Sequence, residues 1–145
     1  MKLLSLLFLT IFMARGCEKN PKQDINTAVI EYVAYTRGFY QKITIEKNTA
    51  EIINDRKRKP STIEISDADL KILAAIFKKI NLDEIKNLKS PTEKRFYDGA
   101  AIAQLKITYK GNIYESQSFD HGYPPDEIKE LVTKINSFAN KNNDN

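Results

Sequence analysis

His121 is the only histidine in the chain, and it stands between Asp120 and Gly122. Histidine is the side chain whose ordinary pKa lies closest to neutrality, so this is the natural place for proton transfer. With Asp120 or Asp98 to orient it, His121 reads as a general acid–base or as a metal ligand. The reading favoured over these is a loop residue at a strand exit, its path set by Gly122 and Pro124-Pro125. Nucleophilic chemistry has less to work with. There is no Gly-x-Ser-x-Gly step, and the single cysteine, Cys17, closes an apolar leader. A zinc or iron site needs three or more suitable ligands, which one histidine and one cysteine do not supply. The expectation is no catalytic residue, no metal and no cofactor. The alternative is a small hydrolase or metal-assisted enzyme using Asp98, Asp120 and His121.

The leader itself says where the chain goes. Lys2 precedes an apolar run of twelve residues, Leu3 to Ala14, and Gly16 precedes Cys17. As a helix that run rises about 18 Å, short of a hydrocarbon core of about 30 Å, so it reads as a secretory signal and not as a span. The order of charge, apolar run, Gly16 and Cys17 resembles a bacterial lipoprotein signal. It differs at Ala14, where a branched apolar residue is usual, and at Arg15, where a small one is. The resemblance implies cleavage after residue 16 and acylation of Cys17. Several acyl chains on one cysteine anchor stably where a single chain does not. The chain is therefore expected to be exported and held in the envelope, on the periplasmic or outer-membrane side.

Composition narrows the partners. The full chain of 145 residues carries a net charge of +4, with 41% apolar and 29% charged residues, enough for one packed domain. Losing residues 1–16 removes Lys2 and Arg15 and no acid, leaving +2. That weakens any case for nucleic acid as a partner, and no aromatic-basic RNA-binding motif is present.

The elements that place His121 follow from periodicity. Residues 17–26 read as the lipidated cysteine and a polar tether, 27–139 as one domain, and 140–145 as a frayed tail. Thr27–Arg37 is rich in β-branched and aromatic residues and reads as a strand. Phe39–Glu46 alternates, with Phe39, Ile43 and Ile45 on one face. Thr49–Asn54 and Ser61–Ile65 continue as strands, separated by the basic run Asp55–Lys59. Ser66 caps a helix whose stripe is Leu70, Leu73, Ala74, Phe77 and Ile80. The loop Lys89–Gly99 leads to a hairpin, Ala101–Tyr109 and Ile113–Phe119, turning at Lys110-Gly111-Asn112. Acidic Asp126-Glu127 opens a last helix. The order β-β-β-(β)-α-loop-β-β-α predicts an α+β fold, an antiparallel sheet of about five to six strands with two helices on one face.

That hairpin has a consequence for the candidate residues. Its closed end is Lys110–Asn112, so residues before Ala101 and after Phe119 must meet at the open end. Arg95, Tyr97, Asp98, Asp120, His121 and Tyr123 are expected to share a binding rim there. Within it, Asp98 is expected to pair with Arg95, and a carboxylate to raise the His121 pKa. The run Asp55–Lys59 reads as a solvated hairpin tip or as a contact with lipid phosphates or an acidic polymer.

The pattern as a whole resembles a family of small, uncharacterised lipoproteins of the Gram-negative envelope. The matching residues are Gly38-Phe39, the spacing Ser66/Asp69/Leu70, Asp98-Gly99, Lys110-Gly111 and Gly122-Tyr123-Pro124-Pro125, across about residues 30–138. All are turns or caps, so the resemblance implies a single globular domain and no assigned activity. The expected function is a non-catalytic, lipid-anchored envelope domain that binds a protein or an envelope polymer. A further alternative is an inhibitor of a secreted hydrolase, presenting the loop Lys89–Asp98.

Overall fold

A computed structural model describes the backbone of residues 23–142 and the side chains of residues 23–140. The signal segment and Cys17 lie outside the described residues. The fold is α+β. Its strands are β1 (Ala28–Tyr35), β2 (Tyr40–Glu46), β3 (Thr49–Ile53), β4 (Ser61–Glu64), β5 (Ile102–Tyr109), β6 (Asn112–Glu115) and β7 (Phe119–Asp120). Helix α1 (Asp67–Phe77) follows β4, and α2 (Asp126–Asn142) closes the chain.

All pairings are antiparallel, in the order β4-β3-β2-β1-β5-β6, and β7 pairs with β5 beyond the end of β6. Register puts Ile30 between Ile45 and Ile107, and Tyr32 between Ile43 and Leu105. One face of the sheet thus carries a continuous apolar layer, as side-chain alternation requires. Leu73 and Phe77 of α1 and Ile128, Leu131, Val132, Ile135 and Phe138 of α2 cover that face in one buried cluster. The opposite face keeps Glu31 between Lys42 (2.9 Å) and Lys106. Burial alone would push the Glu31 carboxyl up; hydrogen bonds from the two lysines outweigh it and hold the group below its usual range.

Helix α1 obeys its cap. Ser66 Oγ accepts the Asp69 N–H at 3.2 Å, while the Asp69 carboxylate meets Lys134 of α2 at 2.5 Å. The second helix runs through Asn142, so the expected frayed tail from Asn140 is helical at its start.

Three boundaries differ from the sequence expectation, each for a local reason. The fold begins before residue 27: Ile25 is buried, Gln23 donates to the Ile80 carbonyl at 3.1 Å, and the Asp24 N–H reaches the Tyr109 hydroxyl. Strand β1 stops at Tyr35 because Thr36 turns the chain, its hydroxyl accepting the Phe39 N–H at 3.0 Å. The return strand of the last hairpin is broken into β6 and β7 at Ser116. There the Ser116 hydroxyl accepts the Leu105 N–H at 3.0 Å, taking the place of a ladder carbonyl.

Candidate functional site

At one end of the sheet β1 stops, β5 begins and β7 leaves, which brings residues 90–101 against residues 119–123. The anchor of this end is Asp120. It is fully buried and opposes Ile102 on β5. Its carboxylate accepts four hydrogen bonds: from the Thr92 hydroxyl at 2.5 Å, the Lys94 N–H at 2.6 Å, and the Arg95 N–H and Nη1 at 3.0 Å each. Burial would push such a carboxyl up. The donors from Thr92, Arg95 and Lys94 prevail and hold it down to about 2.

Arg95 therefore pairs with Asp120 and not with Asp98, contrary to the sequence expectation. The reason is backbone geometry. Lys94–Tyr97 forms a 3₁₀ turn that ends at Asp98 in the left-handed region, φ 59°, which aspartate tolerates and most residues do not. Asp98 is exposed on that turn. Gly99 follows in a tight place: a Cβ there would lie 2.8 Å from Tyr97 Cε2, so that the ring would have to shift, and 3.3 Å from the Lys94 carbonyl oxygen.

His121 is placed differently from Asp120. Its Nδ1 lies 2.6 Å from the hydroxyl of Tyr32, a core tyrosine of β1 that is fully buried. Burial pushes the Tyr32 phenol up to about 12, against a hydrogen bond with Asn136. The phenol thus keeps its proton, and its hydroxyl and Nδ1 share one hydrogen bond. Burial also holds His121 below its ordinary value, which favours the neutral imidazole. This overturns the expectation that a carboxylate would raise the His121 pKa: the Asp120 oxygens point to Thr92, Lys94 and Arg95. The ring of Phe39 packs 5.5 Å from the His121 ring. Below them, His121, Gln41 and Asn136 line a groove of about 380 Å³.

Three aromatic rings are exposed at this end. Phe96 is 72% exposed, Tyr97 70% and Tyr123 44%. The Lys94 ammonium stands 3.8 Å above the Tyr123 ring, and the Arg95 guanidinium carbon 4.3 Å from the Phe96 ring centre. Of the six predicted rim residues, Asp120 and Arg95 form the buried base. Tyr97 and Tyr123 form the exposed top, Asp98 serves the turn, and His121 serves Tyr32.

Sequence reasoning passed over Tyr32, Thr92, Lys94 and Phe96. A signal existed for the first: alternation points Tyr32 into the core, and a buried phenol needs a hydrogen-bond partner. Among the described residues no group of three His, Cys, Asp or Glu side chains is placed to hold a metal ion, and no helix is long and apolar enough to cross a membrane. Comparison with family models, with curated proteins and with solved structures finds no match.

Proposed function

We propose that this protein is a non-catalytic, lipid-anchored binding domain of the bacterial envelope, and that it holds a partner protein or envelope polymer on the rim around Phe96, Tyr97 and Tyr123. The observation that carries the reading is that two exposed aromatic rings, Phe96 and Tyr97, sit on a turn fastened by buried Asp120, with a third, Tyr123, three residues after that aspartate. Large apolar groups left in water cost solvation, and aromatic anchors are what binding hot spots are made of. Holding them on a rigid base lowers the ordering entropy that a partner would otherwise have to offset.

The acid–base alternative draws no comparable support. Asp120 already receives four hydrogen bonds, and His121 Nδ1 is taken up by Tyr32. Envelope placement rests on the leader and on Cys17.

A photo-crosslinking residue at Tyr97, introduced in the native host, tests the rim. A discrete adduct is expected there and none from the same group at Ile72, which is 47% exposed on α1. Equal labelling at both positions, or none at Tyr97, would sink the proposal.

A further inference from the structure

We infer that the rim is one end of a longer basic strip, and that its occupant is an extended acidic segment of a partner protein. The inference rests on the binding reading above and adds the partner's chemistry.

Topology forces three loops to the same end of the sheet. Because β1 to β4 run antiparallel in spatial order, the β1–β2 turn and the β3–β4 turn both lie there. Register places Tyr35, Tyr40 and Ile102 at this same end, so the loop before β5 and the exit from β7 join them. From β4 across to β7 are five strand spacings of about 4.8 Å, a strip about 24 Å wide. An extended peptide of about seven residues would span it.

Charge is concentrated along that strip. Residues 36–39, 54–60 and 90–101 with 120–123 carry seven cations and four acids, an excess of +3 in a chain whose total is +4. One acid, Asp120, is buried and spent on Arg95. Among the described residues, Arg37, the run Arg56–Lys59 and Lys94 stand in no ion pair. Aromatic rings are interleaved with them: Arg56 lies 4.8 Å over Tyr40, and Lys94 stands over Tyr123.

Such an array complements carboxylates spaced along an extended chain, with apolar side chains between them to meet Phe39, Phe96 and Tyr97. A protein segment fits better than a stacked base or sugar. Phe96, Tyr123 and Tyr40 each have one of the protein's own cations against the ring, where a stacking platform presents open faces.

The test uses the purified full chain in detergent at about 0.15 M salt, where exposed charges are screened beyond about 8 Å. The probe is a fluorescent peptide of alternating glutamate and leucine, followed by anisotropy, with polygalacturonate and oligo-dT as competitors. We expect binding that weakens at least about tenfold in Arg56→Glu/Lys57→Glu and, with no change in charge, in Phe96→Ala/Tyr97→Ala. Lys71→Glu/Lys78→Glu, the same charge reversal on exposed lysines of α1 and its C-cap, should leave binding within about twofold. Folding of each variant is checked by its thermal midpoint. Indifference to the Phe96 and Tyr97 changes would overturn the inference, as would equal loss in the α1 variant. Tighter binding of polygalacturonate would assign the strip to an acidic glycan, and tighter binding of oligo-dT to nucleic acid, each against the proposal. If Tyr97 crosslinks a partner in cells while the acidic peptide fails to bind, the acidic-segment inference alone falls. If Tyr97 crosslinks nothing, the rim itself is rejected.

Discussion

Asp120 receives Arg95 twice on one oxygen: the backbone N–H and the guanidinium Nη1 both reach Oδ1 at 3.0 Å. One carboxylate on β7 thereby fixes both the path and the side chain of a residue in the preceding loop. The same bonds hold the backbone that leads into the surface aromatics Phe96 and Tyr97.

Removing this carboxylate is expected to be costly. Asp120→Ala leaves Arg95, only 10% exposed, without its counter-charge, and should lower stability by about 3 kcal/mol in urea denaturation. Because the folded pKa of Asp120 is depressed to about 2, its contribution is complete above the ordinary value of 3.8. That contribution is lost as pH falls from there towards 2. The stability difference between wild type and Asp120→Asn should shrink across that window; a constant difference would show that the charge is irrelevant.

His121 is expected to behave in the opposite chemical sense. Its pKa is lowered by burial, so the neutral ring is the folded form and its contribution is present above about 6.5. Wild type should lose stability as pH falls below that value, while His121→Asn, which offers Tyr32 a polar partner but cannot titrate, should not. His121→Leu leaves the phenol without this hydrogen-bond partner and should cost about 1–2 kcal/mol. A titration by NMR giving a His121 pKa above 6.5 would contradict the assignment.

Gly99 lets the Tyr97 ring lie close against the backbone of its own turn. Gly99→Ala places a Cβ against Tyr97 and the Lys94 carbonyl, and should destabilise by about 1 kcal/mol while displacing the Tyr97 ring. Reduced crosslinking from position 97 with folding retained is the expected readout. Unchanged crosslinking would mean that the ring's position is not what the partner reads.

For the anchor, metabolic labelling with a fatty-acid analogue should tag the wild type and not Cys17→Ser. A labelled serine variant, or an unlabelled wild type in a competent host, removes the lipoprotein reading.

The elements were legible because their causes are local. Alternation in Phe39–Glu46 and the 3.6-residue stripe of Leu73 and Phe77 depend only on which side chains must leave water. So does the shared end of the last hairpin, since a turn at Lys110-Gly111 forces its strand ends together. The partners within that end were not legible. Arg95 stands three residues from Asp98 and twenty-five from Asp120, and proximity in sequence favoured the wrong carboxylate. The choice was made by a positive φ at Asp98 and by the inward pointing of Asp120, where a buried charge must gather every donor in reach. Tyr32 and His121, eighty-nine residues apart, are joined for a related reason: a phenol sealed in the core pairs with whichever polar atom the fold delivers to it. Chain order specifies which groups are buried, and only packing in three dimensions decides which of them satisfy one another.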